Sequence, residues 1–122
     1  MLDELKDAVT NLRFNKAVRV VVFTGAGESF CAGGDLEWMR EQIQANSATR
    51  VRAATKLAHT LQALNTMPKP LIGALQGNAF GGGVGLAAVC DIAIGVDHLK
   101  MGFTETRLGL IPATIGPYVL AR

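Results

Sequence analysis

Residues 70–83 have the sequence PLIGALQGNAFGGG, and this stretch decides the fold. Leu71–Gln76 is a short apolar run, which is typical of a strand that is covered on both faces of a parallel sheet. Gly77 ends the run, and the triplet Gly81–Gly83 leads into an apolar helix that we predict over Val84–Val89. A buried strand followed closely by a buried helix indicates an α/β fold.

The sequence on either side repeats this alternation. Upstream, apolar spacing predicts an amphipathic helix over residues 2–14, and VRVVVFT at 18–24 predicts a second strand covered on both faces. Further helices are predicted over Asp35–Gln44 and from Ser47, its N-cap, to the prolines at 68 and 70. The remaining predicted elements are strands over 91–96 and 101–103, one helical turn over 104–108, and a helix over 115–122. Residues 1–122 are therefore expected to belong to a single α/β domain.

Composition excludes several classes of protein. The chain has 122 residues, of which 49% are hydrophobic and 18% charged, and this balance excludes intrinsic disorder. A net charge of +2 argues against a nucleic-acid partner, and no apolar run approaches the ~20 residues of a membrane span. Cys31 and Cys90 show no Cys-x-x-Cys spacing, so we expect two reduced core thiols and a cytoplasmic protein.

Both ends of the sequence suggest an incomplete domain. The predicted helix over 2–14 has an apolar face that needs a partner sheet. The chain also stops at Arg122, inside a predicted helix and without a C-cap signal. We therefore expect residues 1–122 to be the central part of a larger domain.

Two glycine clusters are the first candidate for chemistry. Gly33-Gly34-Asp35 follows the first predicted strand, and Gly81–Gly83 follows the second. The carboxyl ends of neighbouring strands in an open α/β sheet face one crevice, where two backbone N–H groups could converge on one oxygen as an oxyanion hole. Spacing alone also allows the alternative that the glycines serve only turns and tight packing.

Patterns for nucleotide and metal binding fail. Gly25-Ala26-Gly27 begins a Gly-x-Gly after a strand, but Phe30 stands where the third glycine should be, and no Gly-Lys-Ser/Thr occurs. No His, Cys or acidic spacing supports a zinc or calcium site. We therefore expect no metal.

Glu105 is the carboxylate best suited to general acid–base work, because it follows a short strand and has apolar neighbours in sequence. The alternative is a surface glutamate that pairs with Arg107 or with a helix N-terminus. Asp35 is better explained as the N-cap of the helix that begins at Leu36 than as a catalyst.

Several segments together resemble the crotonase (enoyl-CoA hydratase/isomerase) superfamily, in the right order and spacing over essentially the whole chain. They are SFCAGGDL at 29–36, PLIGALQGNAFGGG at 70–83, CDIAI at 90–94, MGFTE at 101–105 and LGLIP at 108–112. The resemblance implies a spiral of repeated ββα units. It also implies that the chain lacks the opening strands and the C-terminal helices with which family members trimerise and complete the acyl pocket.

The resemblance assigns roles by position. Gly34 and Gly82 match the two N–H donors that hold the thioester oxygen of an acyl-CoA as it becomes an enolate. Glu105 matches one of the two acid–base glutamates of the hydratases. In family members, one stretch contacts the adenine and pantetheine of coenzyme A. The residues of this chain that match it are Ala32, Asp35 and Leu36.

The second glutamate of the hydratases is absent from this chain. Gly85 occupies the matching position. The segments at 79–86 and 108–119 look like the methylglutaconyl-CoA and isohexenylglutaconyl-CoA hydratase branch, whose members act on branched enoyl-CoAs. We interpret Gly85 as space for a larger acyl group and include it among the substrate-binding residues.

The resemblance predicts a hydratase of 2-enoyl-CoA thioesters, with a branched, methylglutaconyl-like acyl group. The alternatives are an enoyl-CoA isomerase that uses one glutamate and a family member that binds coenzyme A without catalysis. Coenzyme A is part of the substrate, so no cofactor is expected. The expected assembly of the full-length protein is a homotrimer or a dimer of trimers, with neither a nucleic-acid nor a membrane partner.

Overall fold

The computed structural model describes the backbone of residues 1–122 and every side chain except those of Arg107 and Leu108. The helices are α1 (Leu2–Phe14), α2 (Leu36–Gln44), α3 (Ser47–Asn65), α4 (Gly82–Ala88) and α5 (Gly116–Leu120), with a 3₁₀ turn over Glu105–Leu108. The strands are β1 (Val21–Thr24), β2 (Ser29–Cys31), β3 (Leu71–Leu75), β4 (Asn78–Phe80), β5 (Ile92–Gly95) and β6 (Met101–Gly102).

The strands form two parallel sheets, in the orders β1-β3-β5 and β2-β4-β6. Successive strands alternate between the sheets, so each ββ pair contributes one strand to each sheet before the chain turns into a helix. This repeat confirms the α/β class and the expected succession of ββα units.

Strands β2 and β4 were not predicted. Each has only three residues and lies in a glycine-rich segment that resembles a loop. The glycine clusters therefore follow the strands of the second sheet, whereas we expected them to follow the strands at 18–24 and 71–76. The prediction of Ser47 as an N-cap is also wrong, because Asn46 accepts the Thr49 N–H at 2.9 Å and the helix already includes Ser47.

The core lies where α3 and α4 pack against the strands. Its most deeply buried members include Leu61, Leu71 and Val89. Cys90 belongs to this core, and burial raises the pKa of its thiol to about 11. Cys31 is only partly buried, so the prediction of two core thiols is confirmed for Cys90 alone.

One face of the β1-β3-β5 sheet is exposed. Val22 of β1 is 62% exposed and Ile94 of β5 is 63% exposed. The prediction of cover on both faces is therefore wrong for β1, whose residues alternate between half-buried and exposed. In β3, buried residues alternate with half-buried ones. Apolar composition does not report whether the second face of a strand has a neighbour. Across the described chain, no helix combines the length and apolarity needed to cross a membrane.

Candidate active site

The candidate site lies at the carboxyl edge of the β2-β4-β6 sheet. Ser29 pairs with Asn78, and Cys31 pairs with Ala79, so β2 contains one extra residue, Phe30. This irregularity is a β-bulge, which changes the register of all that follows. Each glycine cluster follows this pair in sequence, with Gly34 three residues after Cys31 and Gly82 three residues after Ala79.

Gly81 and Gly82 leave the end of β4 open to a ligand. Gly81 has φ +51°, a conformation that favours glycine. A methyl group on Gly82 would meet no heavy atom within 4 Å, and α4 begins there with no side-chain cap. Among the described residues, the N–H of Gly82 donates to no protein acceptor, and neither does that of Gly34.

Gly33 is required by its backbone conformation, and Gly83 is required by close packing. Gly33 has φ +106°, and a methyl group there would lie 3.5 Å from the carbonyl oxygen of Phe80. A methyl group on Gly83 would lie 2.7 Å from both Cβ and the carbonyl oxygen of Cys31. The outer glycines of the two clusters thus join β2 to the end of β4, while Gly34 and Gly82 keep their N–H groups unengaged.

Glu105 reaches the same edge from β6. Strand β6 is held to β4, where the Gly81 N–H donates to the Gly102 carbonyl at 3.0 Å. A methyl group on Gly81 would lie 3.3 Å from Glu105 Oε1, which places this carboxylate beside the glycine triplet. Glu105 Oε2 is buried and has no hydrogen-bond partner among the described residues. The alternative pairing with Arg107 concerns a side chain outside those residues.

The three residues expected to contact coenzyme A lie beside Gly34. Ala32 and Asp35 are exposed, and Leu36 is 67% exposed. Asp35 Oδ1 accepts the Trp38 N–H at 2.8 Å, which confirms its prediction as an N-cap. Helix α2 has no buried residue, so this side of the candidate site is open along the helix.

The interpretation of Gly85 as space for an acyl group is wrong. Ile115 fills that space: it is 2% exposed, and its Cγ2 would lie 2.2 Å from a methyl group on Gly85. A glycine can mark a void or a close contact, and the sequence does not distinguish the two. Here the glycine lets the residue that precedes α5 pack directly against α4.

Met39 is a neighbour of the site that sequence analysis did not identify. Its Cε would lie 2.6 Å from a methyl group on Gly34. The sequence did contain a signal for this contact. Long side chains in a helix lean towards its N-terminus, and Met39 lies in the first turn of the helix that begins just after Gly34. A flexible thioether here borders the proposed N–H donor.

The chain was compared with known protein families, and one match covers all of its residues. The model of the family described as "Enoyl-CoA hydratase/isomerase" matches residues 1–122. The chain belongs to the enoyl-CoA hydratase/isomerase family.

Individual relatives agree with this assignment. YngF of Bacillus subtilis, described as an enoyl-CoA hydratase/isomerase, is 36% identical over all of this chain and 46% of the relative. The mitochondrial methylglutaconyl-CoA hydratase of Mus musculus is 34% identical over all of this chain and 38% of its own length. A crotonase structure from Legionella pneumophila superposes with a TM-score of 0.95 at 39% identity, covering 98% of this chain and 46% of that one. The chain thus spans less than half the length of these relatives.

Proposed function

We propose that this chain carries the enolate-forming part of a 2-enoyl-CoA hydratase. The observation that carries the proposal is the common position of Gly34, Gly82 and Glu105 at the carboxyl edge of one sheet. Two N–H groups aimed at a thioester oxygen would stabilise the negative charge that develops there during the reaction. Coenzyme A is part of the substrate in this proposal, and no cofactor takes part.

The proposed reaction adds water across the 2,3 double bond of the thioester. The water oxygen bonds to C3, and the electron pair of the double bond moves towards the thioester oxygen as an enolate. Glu105 takes the proton that the water loses and returns it to C2, which regenerates the carboxylate. Ala32, Asp35 and Leu36 line the open side along which we place the coenzyme A portion.

For the acyl group, we propose a branched, methylglutaconyl-like chain. The support is the similarity to the mouse methylglutaconyl-CoA hydratase and the sequence of segments 79–86 and 108–119. The packing of Ile115 against Gly85 removes the steric argument for this preference, so it depends on the similarity alone.

A second candidate function, enoyl-CoA isomerisation, is favoured by that same packing. A carboxylate at position 85 would collide with Ile115, so the site has no room there for a second acid–base group. An isomerase needs only one group, which removes a proton from C2 of a 3-enoyl thioester and returns one to C4. Glu105 alone could do this.

One experiment separates these functions. A hydratase consumes the absorbance of a conjugated 2-enoyl-CoA, such as crotonyl-CoA, whereas an isomerase generates that absorbance from a 3-enoyl-CoA. We expect loss of absorbance with the 2-enoyl substrate. Gain from the 3-enoyl substrate alone would establish the isomerase, and coenzyme A binding without either change would establish a non-catalytic member.

The family resemblance also bears on the assembly and the location of the full-length protein. We propose a homotrimer or a dimer of trimers in the cytoplasm, on the strength of the family resemblance. Light scattering of the full-length protein gives the mass that decides between these assemblies and a monomer.

A further inference from the structure

The side-chain amide of Gln76 joins two connections between strands, the β1–β2 corner at residues 25–28 and the β3–β4 corner at residues 76–77. Its Oε1 accepts the Gly25 N–H at 3.1 Å and the Thr24 hydroxyl at 3.3 Å. Its Nε2 donates to the carbonyls of Gly27 at 3.2 Å and Ser29 at 2.9 Å. Both hydrogens and both lone pairs of this amide are therefore engaged with the connection between β1 and β2.

The backbone around this amide is in close contact. A methyl group on Gly77, the residue after Gln76, would lie 1.9 Å from the carbonyl oxygen of Glu28. One on Gly25 would lie 2.4 Å from the carbonyl oxygen of Phe30. The β1–β2 corner and the β3–β4 corner are thus interlocked, and Gln76 supplies the side-chain hydrogen bonds between them.

This junction lies directly before the bulge in β2. Ser29, whose carbonyl accepts from Gln76, is the last β2 residue before the extra residue Phe30. Without that extra residue, the same count along the two strands would match Gly34 with Gly83. Gly83 packs directly against Cys31. With the extra residue, Gly34 and Gly82 each come three residues after the last observed pair, Cys31 and Ala79. A slip of β2 by one residue would exchange every facing partner.

We propose that Gln76 is a positioning residue, which fixes the register of β2 against β4 and so brings the Gly34 N–H level with the Gly82 N–H. The inference rests on the proposed function, because the register matters to catalysis only if these two N–H groups hold one oxygen. Gln76 itself contacts no reacting atom. It acts through the hydrogen bonds that hold Ser29, five residues before Gly34.

The kinetic test is Gln76→Met, which keeps the length of the side chain and removes all four hydrogen bonds. Gln62→Met is the matched control, because the Gln62 side chain is exposed on α3. We expect kcat on crotonyl-CoA to fall on the order of 100-fold, since small misplacements of catalytic groups cost that much. KM should stay within about threefold, because substrate contacts outside the oxyanion hole remain, and Gln62→Met should match the wild type. A lower melting temperature with kcat unchanged in the folded protein would overturn the proposal.

A second measurement does not depend on activity. In amide NMR spectra, Gln76→Met should weaken the cross-strand contact between Cys31 and Ala79 and accelerate hydrogen exchange of the Gly25 N–H. Unchanged β2–β4 contacts in the variant would overturn the positioning role. If the wild-type protein turned over no enoyl-CoA while these contacts moved as expected, the proposed function would fail and the structural role of Gln76 would stand.

Discussion

Helices α2 and α4 each begin beside one of the two proposed N–H donors, but they hold it in opposite ways. Helix α4 begins at Gly82 without a side-chain cap, and its residues Gly83–Ala87 are buried. Helix α2 begins after Gly34, is capped by Asp35, and has no buried residue. Gly82 is therefore held by the buried helix α4. Gly34 is held by the Asp35 cap that follows it and by the pairing of β2 with β4 before it.

The difference shows that one side of the site is buried in the core and that the other side is exposed to solvent. Deep burial of α4 keeps Gly82 in place without using its N–H, which donates to no acceptor among the described residues. The exposed face of α2, with Leu36 and Ile43 in solvent, leaves room beside Gly34 for a long ligand. We therefore expect changes at the α4 end to affect turnover and folding strongly, and changes at the α2 end to act locally.

The largest expected effect comes from removing the fixed donor. Gly82→Pro deletes the N–H at the first residue of α4, a position that tolerates proline. Turnover should fall roughly 100- to 1000-fold, as in other oxyanion holes. Gly82→Ala is the matched control, because its methyl group meets no atom within 4 Å and the N–H remains. Equal turnover in Gly82→Pro and Gly82→Ala, both folded by circular dichroism, would remove Gly82 from the site.

The next effect is on stability. Gly83→Ala places a methyl group 2.7 Å from Cys31 and should destabilise the fold by about 1–3 kcal/mol, of which helix propensity returns up to about 1 kcal/mol. Ile43→Ala, on the exposed face of α2, should change stability by less than about 0.5 kcal/mol. Urea unfolding of the two variants measures both values, and an equal loss would contradict the contrast between the helices.

A smaller, local effect is expected from the α2 cap. Asp35→Ala removes the acceptor of the Trp38 N–H, a change that costs about 0.5–2 kcal/mol of helix stability. Because α2 buries no residue, the loss should appear as faster amide exchange in α2 with α4 unchanged. Asp7→Ala, at an exposed position of α1, controls for the loss of charge. Faster exchange in both α2 and α4 would mean that the two helices unfold as one unit.

The smallest expected effect is at Gly34. Gly34→Ala keeps the N–H and presses a methyl group against the flexible end of Met39, so turnover should fall less than about tenfold. Met39→Ala in the same protein should restore it by removing the contact. A larger loss that Met39→Ala does not restore would show that Gly34 itself cannot carry a side chain.

Sequence patterns predicted the long elements of this fold well and the short ones poorly. Helix α1 has clear periodicity and β1 lies in a β-branched run, whereas β2 and β4 are three residues long and pair with each other. Motif resemblance assigned roles to Gly34, Gly82 and Glu105, and in the structure each of them follows a strand of the β2-β4-β6 sheet. It could not reveal the bulge at Phe30 or the packing of Ile115 on Gly85, since both depend on residues that are distant in sequence.

The most direct test of the proposed site is Glu105→Gln, which keeps the shape of the side chain and removes its acid–base function. We predict that turnover of crotonyl-CoA falls by roughly 100-fold or more, while the Kd of a non-reactive acyl-CoA, measured by calorimetry, stays within about threefold. Equal losses of binding and turnover would mean that Glu105 is a structural residue, and undiminished turnover would contradict the site altogether.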